Sequence, residues 1–225
     1  MSISPDRILY LDDALLAVNK RSGELVVRGA GEVGKLPLLD FLKKDYPGLQ
    51  TLHRLDFETS GVVLFARSSA VAKQVLASKF DGWKKIYQTL IMGRVKKRGV
   101  IDMPLSARRN PRHMQHAKQA EMVHAVTKYE MLEECGDVSY IEAEIETGRH
   151  HQIRKHFAAI GHPLVLDEVY GDKKFNRWFV REFGYRKFFL HARRVELPHP
   201  VTKERIIIEA PLPHVFEECL KKIRG

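Results

Sequence analysis

The run of residues 53–61 most constrains the fold, because a polar, turn-forming segment leads directly into five consecutive apolar residues at positions 62–66 (VVLFA). A short apolar run of this kind is typical of a strand buried on both faces. The pair Ser60-Gly61 marks a turn just before that strand. Asp56 is therefore expected on a short loop held by a rigid scaffold, where functional residues concentrate. A single Asp in a turn is most often a turn-former, so its function has to be judged with the other segments.

The rest of the chain predicts short strands mixed with a few helices. Apolar runs and alternating patterns predict strands at residues 8–18 (two strands around a turn), 25–27, 62–66, 86–92, 126–131, 139–146, 188–197 and 206–209. Apolar faces at helical spacing predict helices at residues 38–44, 69–80, 152–160 and 216–222. Strands and helices without regular alternation indicate the α+β class, here a mixed, largely antiparallel sheet with flanking helices. No repeat or low-complexity linker divides the chain, so we predict a single domain over residues 1–225.

Positive charge is the strongest compositional signal. The chain has 38 Lys and Arg against 28 Asp and Glu, which gives a net charge of +10 and a pI near 9.6. A domain this basic is typical of a nucleic-acid-binding protein. The cations cluster in a loop-like insertion near residues 104–120, which contains Arg108, Arg109, Arg112 and Lys118. We expect this insertion to contact phosphates, and a solvated loop is the alternative.

Composition also bears on the compartment. The two cysteines, Cys135 and Cys219, are far apart in sequence, so neither a disulfide framework nor a zinc ribbon is predicted. The first seven residues lack the basic-then-apolar layout of a signal peptide, and no run is long and apolar enough to span a membrane. We therefore predict a cytoplasmic protein with no membrane partner, and a monomer.

Two short patterns resemble ligand-binding motifs but fail at neighbouring positions. Residues 29–35 (GAGEVGK) fit both G-x-G-x-x-G and the G-x-x-x-x-G-K of a P-loop, yet Leu36 follows where the P-loop needs Ser or Thr. A nucleotide-dependent enzyme using this segment stays an alternative. His150, His151 and His156 lie close together, but the His-Glu-x-x-His pattern of zinc hydrolases is absent. We predict no metal site and place His156 on a basic helix face.

Three separated segments complete the pattern. They are His53-Arg54-Leu55-Asp56 with Thr59-Ser60-Gly61; Lys85-Ile86-Tyr87; and Thr147-Gly148-Arg149 with His151-Gln152-Ile153-Arg154 and His156. Together with residues 19–23, 161–163, 167–171, 190–192 and 199–200, in this order, they resemble the RluA family of RNA pseudouridine synthases over nearly the whole chain. The family usually has Pro where Arg21 stands and Gly where Leu166 stands, and neither departure touches the expected chemistry.

The resemblance implies isomerisation of uridine to pseudouridine in structured RNA, with the target base flipped out of the RNA and with no cofactor or metal. Asp56 would be the catalytic carboxylate, acting either as a nucleophile or as a base. Arg154 would pair with Asp56 and keep it ionised. Tyr87 would stack on the uracil, and its hydroxyl could relay the proton lost from carbon 5.

The resemblance assigns six further residues to substrate binding. Arg54 would enter the space left by the flipped base, and Ile153 and Leu190 would form apolar walls of the base pocket. His53 would brace the catalytic turn. Lys20 and Arg149 would contact phosphate, with a solvated surface charge as the alternative. No separate RNA-binding domain is predicted, so substrate choice would fall to the catalytic domain and its insertion. Ribosomal RNA and transfer RNA are both open as substrates. A catalytically silent RNA-binding protein is the alternative that the charge alone would allow.

Overall fold

The computed structural model describes residues 3–28, 36–106 and 121–225. The chain divides into two compact units, each formed by two separate stretches of sequence. The first unit comprises Met1–Tyr87 and Leu190–His214, and the second comprises Gln88–Phe189 and Val215–Gly225. Among the described residues, no helix is long and apolar enough to cross a bilayer.

The first unit is built on strands with two short helices. Its elements are a 3₁₀ turn (Pro5–Arg7), β1 (Ile8–Leu11), β2 (Leu15–Lys20), α1 (Leu38–Leu42), β3 (Gln50–Thr51), β4 (Ser60–Ala66), α2 (Ser69–Ala77), the start of β5 (Lys84–Met92), β11 (Leu190–Pro198) and β12 (Arg205–Glu209). Strands β1, β2, β4 and β11 are neighbours in that order, while β3 pairs with β4 and β12 pairs with β11. All of these pairs are antiparallel except β4 with β11, which is parallel.

Strand β4 forms the centre of the first unit, because all seven of its residues are buried. Its side chains pack with those of β2, α2 and β11 in one apolar cluster. Full burial of a single aliphatic side chain stabilises a fold by roughly 2 kcal/mol, so this strand is a firm anchor for the loop that precedes it. Helix α2 begins at an N-cap, where the Ser68 side chain accepts a hydrogen bond from the Val71 N–H. The helix ends before Lys79 and Phe80, which both have positive φ.

The second unit has a meander of strands and three helices. Its elements are the end of β5, β6 (Arg98–Asp102), β7 (Leu105–Ser106), β8 (Met122–Val123), β9 (Val126–Cys135), β10 (Val138–Ile145), α3 (Gln152–Ala159), α4 (Lys173–Phe183) and α5 (His214–Arg224), whose first residue belongs to the first unit. Strand β9 pairs antiparallel with β10 on one side and with β6 on the other. Strands β7 and β8 form a separate antiparallel ladder.

The predicted α+β class is confirmed, and most predicted elements are present with boundaries shifted by a few residues. Residues 25–27, however, were wrongly predicted as a strand. The carbonyls of Leu25 and Val26 accept hydrogen bonds from the Leu38 and Leu39 N–H groups at the start of α1, at 2.8 and 3.0 Å. These backbone groups therefore complete a helix terminus, whose first N–H groups have no partner within the helix.

Helix α4 and strand β6 were not predicted. Helix α4 carries four aromatic side chains at helical spacing, Phe175, Trp178, Phe179 and Phe183, among basic residues. Its boundaries follow capping rules: Asp172 accepts a hydrogen bond from the Phe175 N–H at 2.6 Å, and Gly184 at the other end has a φ of 81°.

Candidate active site

Asp56 lies on the loop between β3 and β4, as predicted, and is half-buried. The Thr59 N–H donates to the Asp56 carbonyl at 3.2 Å, which closes a turn just before β4. The negative charge of Asp56 acts on two buried neighbours in the first unit: it helps to raise the pKa of Tyr87, and it opposes the lowering of the pKa of Lys20. Asp56 therefore interacts electrostatically with both Tyr87 and Lys20.

Lys20 supports the Asp56 loop from within the protein. Its side chain is fully buried at the end of β2, and its Nζ donates to the carbonyls of Arg21, Phe57 and Thr59 at 3.0, 3.0 and 2.6 Å. Burial lowers its pKa to about 8, and the charges of Glu24 and Asp56 partly oppose that shift. An ammonium has three N–H donors, and all three are directed at backbone carbonyls. The prediction that Lys20 contacts phosphate is therefore revised, and the residue is a brace of the loop.

His53 lies at the other end of the same loop and acts as an acceptor. The Leu64 N–H donates to its Nε2 at 3.1 Å, and the Trp83 ring packs edge-on against it with centroids 6.2 Å apart. Burial, with a smaller contribution from the charge of Lys85, lowers the pKa of His53 to about 3. A neutral imidazole accepting on Nε2 carries its proton on Nδ1. The predicted role of His53 as a brace of the catalytic turn stays a prediction.

Tyr87 and Lys85 are two residues apart on β5, so both point to the same face of the strand. Tyr87 is buried, and burial together with the charge of Asp56 raises the pKa of its hydroxyl. Tyr87 is therefore a neutral phenol at physiological pH. The Lys85 ammonium lies 4.9 Å from the Phe80 ring centroid and 5.7 Å from that of Trp83, and burial lowers its pKa.

The parallel pair β4–β11 fixes the start of β4 and, with it, the end of the Asp56 loop. Ser60 and His191 are partners in register, and the Ser60 Oγ lies 2.9 Å from His191 Nδ1. Gly61 lies so close to β11 that an added Cβ would be 2.2 Å from the Ala192 carbonyl oxygen. Leu190, a predicted wall of the base pocket, is buried at the first position of β11.

Arg154 lies on α3 in the second unit and is held by Asp167, a partner that was not predicted from the sequence. Its Nε and Nη2 donate to Asp167 Oδ2 and Oδ1 at 2.6 and 2.8 Å. Its guanidinium carbon lies 4.7 Å from the Phe188 ring centroid and 5.2 Å from that of Tyr170. Arg154 is 6% exposed and Asp167 is fully buried. Two aromatic rings and a fork of charge-assisted bonds therefore fix the orientation of the guanidinium.

The turn that carries Asp167 is itself strongly supported. Asp167 Oδ1 also accepts from the N–H groups of Val169 and Tyr170, and Asn176 of α4 donates to the Asp167 carbonyl at 3.1 Å. Leu166 has a φ of 65°, a left-handed conformation that glycine adopts without strain. A leucine in this conformation costs about 1–2 kcal/mol.

The remaining residues of the third motif surround α3. Gln152 Oε1 accepts from the Thr147 hydroxyl and the Arg149 N–H at 2.8 and 3.1 Å, which orders the loop before the helix. Arg149 is exposed, with its Nε 3.4 Å from the His124 carbonyl, and stays a candidate phosphate contact. Ile153 is buried. His156 was wrongly placed on a basic face: it is buried, with its ring nitrogens 2.8 Å from Thr127 Oγ1 and 3.0 Å from the Met103 carbonyl.

Several sequence predictions were not tested by the structure. The phosphate contacts expected of Arg108, Arg109, Arg112 and Lys118, and the glycine-rich pattern at residues 29–35, lie outside the described residues. Arg54 is described and exposed on the Asp56 loop. The pairing of Arg154 with Asp56 stays a prediction, and so does the assignment of the whole chain to a single domain.

The chain is similar to known proteins over most of its length. A family model described as RNA pseudouridylate synthase matches residues 14–159. The chain is 33% identical over 227 residues to the ribosomal large subunit pseudouridine synthase C of Vibrio cholerae, covering 96% of this chain and 69% of that protein. It is 34% identical over 230 residues to the protein of the same name from Escherichia coli K12, covering 98% and 70%. It is 33% identical over 231 residues to the tRNA pseudouridine synthase C of Vibrio parahaemolyticus, covering 96% and 94%.

Solved structures show the same fold. Human RNA pseudouridylate synthase domain containing 4 superposes with a TM-score of 0.78 at 26% identity, covering 96% of this chain and 92% of that chain. Human RNA pseudouridylate synthase domain containing 1 superposes with a TM-score of 0.71 at 25% identity, covering 100% and 98%. The ordered motifs, the fold and these similarities show that the chain belongs to the RNA pseudouridylate synthase family, as its RluA-type motifs predicted.

Proposed function

We propose that this enzyme converts uridine to pseudouridine in a structured RNA and that Asp56 is its catalytic carboxylate. The observation that supports this most strongly is the position of Asp56 on a loop that Lys20 holds through the Phe57 and Thr59 carbonyls, in a chain whose residues 14–159 match the RNA pseudouridylate synthase family. The named activities of the relatives, on ribosomal RNA or on tRNA, point to the same reaction. Both RNA classes are retained as candidate substrates for this chain.

The reaction breaks the bond between ribose carbon 1 and uracil nitrogen 1, turns the base and joins carbon 1 to uracil carbon 5. Carbon 5 loses its proton and nitrogen 1 gains one, so the atoms of the base and the sugar are conserved. The sum of these steps is an isomerisation, so no external oxidant or leaving group is needed. Asp56 would either attack covalently or take up a proton, since a carboxylate is a known nucleophile at sugar carbons. Rigid support of its loop fits either role, because catalysis depends on holding the reacting group in place.

Tyr87 is better suited to stacking than to accepting a proton. Its raised pKa keeps the hydroxyl protonated, and a neutral phenol with a raised pKa is a poor base. We therefore propose that its ring stacks on the uracil and that any proton relay through its hydroxyl passes one proton on as another arrives. The proposed stacking would not require the hydroxyl.

Arg154 is proposed to provide a fixed positive charge toward the reacting carboxylate. The Asp167 fork and the rings of Tyr170 and Phe188 set the plane of its guanidinium. A preorganised charge does not have to reorient during the reaction, which is the usual basis of electrostatic catalysis. We propose Asp167 as a positioning residue for Arg154.

RNA recognition is proposed to combine base flipping with phosphate contacts. A base within a structured RNA has to leave its stack to reach a catalytic side chain. We propose that the exposed Arg54 fills the vacated space and that Ile153 and Leu190 contact the base with their apolar side chains. Arg149 and the insertion near residues 104–120 would bind phosphates, which makes binding dependent on salt. A cytoplasmic location and a monomeric state stay predictions.

The experiment compares RNA from cells that lack the protein with RNA from cells that express it. Carbodiimide mapping locates pseudouridine, and cells expressing Asp56→Asn at the same level are the matched control. A uridine modified only in cells with the wild-type protein would establish the activity and name the substrate. The same pseudouridine pattern in RNA from both kinds of cell would favour a catalytically silent RNA-binding protein. A thermal shift with ATP or NAD would favour the nucleotide-dependent alternative.

A further inference from the structure

Helix α4 lines an open groove within the second unit. The groove has a volume of about 830 Å³, and Met92, Gly93 and Asp137 also line it. Three cations of α4 line it, Lys174, Arg177 and Arg181. Their spacing of three and four residues places them on one face of the helix. All three are exposed, and none forms an ion pair with a described residue.

An aromatic side chain lies in the same groove beside these cations. Trp178 lines the groove and is half-buried. Its ring packs on Phe175, which also lines the groove, and on Phe183, with ring centroids 5.0 and 5.9 Å away. The indole is therefore held rigidly, and part of it stays accessible.

Helix α4 is fixed to the turn that contains Asp167. Asn176 of α4 donates to the Asp167 carbonyl and accepts from the Leu166 N–H at 2.8 Å. Gly171 fits tightly beneath this contact, because an added Cβ would lie 2.2 Å from the Asp167 carbonyl oxygen. The turn that orients Arg154 thus also fixes α4.

Charge and shape together point to one class of ligand. A cationic ridge beside an accessible aromatic ring is the usual arrangement for single-stranded nucleic acid, where bases stack on the ring and phosphates follow the cations. A purely apolar ligand would leave the three cations unused, and an acidic peptide would not need the ring. Two carboxylates also line the groove, against three cations. Asp172 accepts a hydrogen bond from the Phe175 N–H at the helix N-cap, and Asp137 would serve as an acceptor for a base edge.

We propose that this groove binds an unpaired segment of the RNA substrate, with one base stacked on Trp178 and the flanking phosphates bound by Lys174, Arg177 and Arg181. The proposal rests on the proposed function in that it takes RNA as the substrate, but it needs no turnover to be tested. It gives the enzyme a second contact with its RNA, separate from the residues that act on the target uridine.

The first test measures stacking directly. The chain has two tryptophans, so a Trp83→Phe variant reports on Trp178 alone. Addition of a short oligouridylate is expected to quench its fluorescence, and polyglutamate is not. No quenching by the oligouridylate would overturn the proposal, and so would quenching by polyglutamate alone, which would assign the groove to an acidic protein.

The second test measures affinity in the otherwise unchanged protein. The triple variant Lys174→Gln, Arg177→Gln, Arg181→Gln is expected to bind oligouridylate at least about 10-fold more weakly, with a salt slope lower by about 0.7 for each phosphate that the variant no longer neutralises. The matched control is Lys43→Gln, Lys44→Gln, Lys73→Gln, which removes the same charge from exposed positions in the first unit. Equal weakening by the two triple variants, or none by the first, would overturn the proposal.

The third test separates stacking from helix integrity. Trp178→Ala is expected to weaken binding about 10-fold, and Trp178→Phe is expected to recover most of it, because a phenyl ring still packs and stacks. Wild-type affinity in Trp178→Ala would contradict the proposal. The outcome stays distinct from a failure of the proposed catalytic role, because Asp56→Asn measures product formation and these variants measure binding to an RNA too short to be a structured substrate.

Discussion

Arg154 and Asp167 form a buried, two-point ion pair, with Nε 2.6 Å from Oδ2 and Nη2 2.8 Å from Oδ1. Burial opposes the charge on Asp167, but the hydrogen bonds and charge of Arg154 outweigh it and hold the pKa of Asp167 below its ordinary value. The pair connects α3 to the turn before α4. Its geometry implies that the orientation of the proposed catalytic arginine depends on a residue thirteen positions away.

Asp167→Asn is expected to lower both stability and turnover. The amide would turn a donor toward the Arg154 Nε–H, where a charged acceptor now lies. Disrupting a buried ion pair from one side costs about 3–5 kcal/mol, and a misplaced guanidinium would reduce kcat more than substrate affinity. Urea unfolding and steady-state kinetics check both effects. Asp172→Asn is the matched control, since Asn caps a helix as well as Asp does; equal behaviour of the two variants would refute the positioning role.

Lys20→Met is expected to reduce turnover without changing the salt dependence of RNA binding. The variant removes the hydrogen bonds from Nζ to the Phe57 and Thr59 carbonyls, which belong to the turn after Asp56. A displacement of about 1 Å in a reacting group can cost on the order of 100-fold in rate. Lys73→Met, on the exposed face of α2, is the control. A flattened salt slope in Lys20→Met would restore the original assignment of Lys20 to phosphate binding.

Stability is expected to fall as the pH drops below 6.5. Burial lowers the pKa of His53 to about 3 and that of His191 to about 4, from an ordinary value of 6.5. As the pH falls, these histidines bind protons in the unfolded chain at a higher pH than in the folded protein. The unfolding free energy therefore declines between pH 6.5 and about 3. Above pH 6.5 it does not depend on these groups. Urea unfolding at several pH values measures the decline. His53→Gln should make the decline shallower and leave the part due to His191; a wild-type slope in that variant would count against a buried, neutral His53.

Gly61→Ala is expected to disrupt the pairing of β4 with β11. Gly61 has a φ of +111°, and a Cβ would lie 2.2 Å from the Ala192 carbonyl oxygen. We expect a loss of about 4 kcal/mol or more in unfolding free energy, at the upper end for single substitutions. Gly136→Ala is the control, because it also has positive φ but no atom within 4 Å of the added Cβ; it should lose only about 1–2 kcal/mol. Similar losses in the two variants would show that contact with β11 is unimportant.

The sequence predicted well those features that depend on neighbouring residues. The apolar run of β4, the turn carrying Asp56 and the helix carrying Arg154 are all local patterns. The contacts that hold Lys20 and Arg154 in the structure were not predicted. Two of the three carbonyls that bond Lys20 come from residues 37 and 39 positions away, so a buried lysine was taken for a surface one. Helix α4 was missed although its aromatic spacing is helical, because the basic residues among the aromatic ones weaken its apolar pattern.

The most direct test of the central claim measures pseudouridine formed by the purified protein. RNA extracted from cells that lack the protein is incubated with the wild type or with Asp56→Asn, and nucleoside mass spectrometry with carbodiimide mapping quantifies the product at each uridine. We expect the wild type to form pseudouridine at a defined position and Asp56→Asn to form none while binding the same RNA with unchanged affinity. Equal product from the two proteins would contradict the role of Asp56.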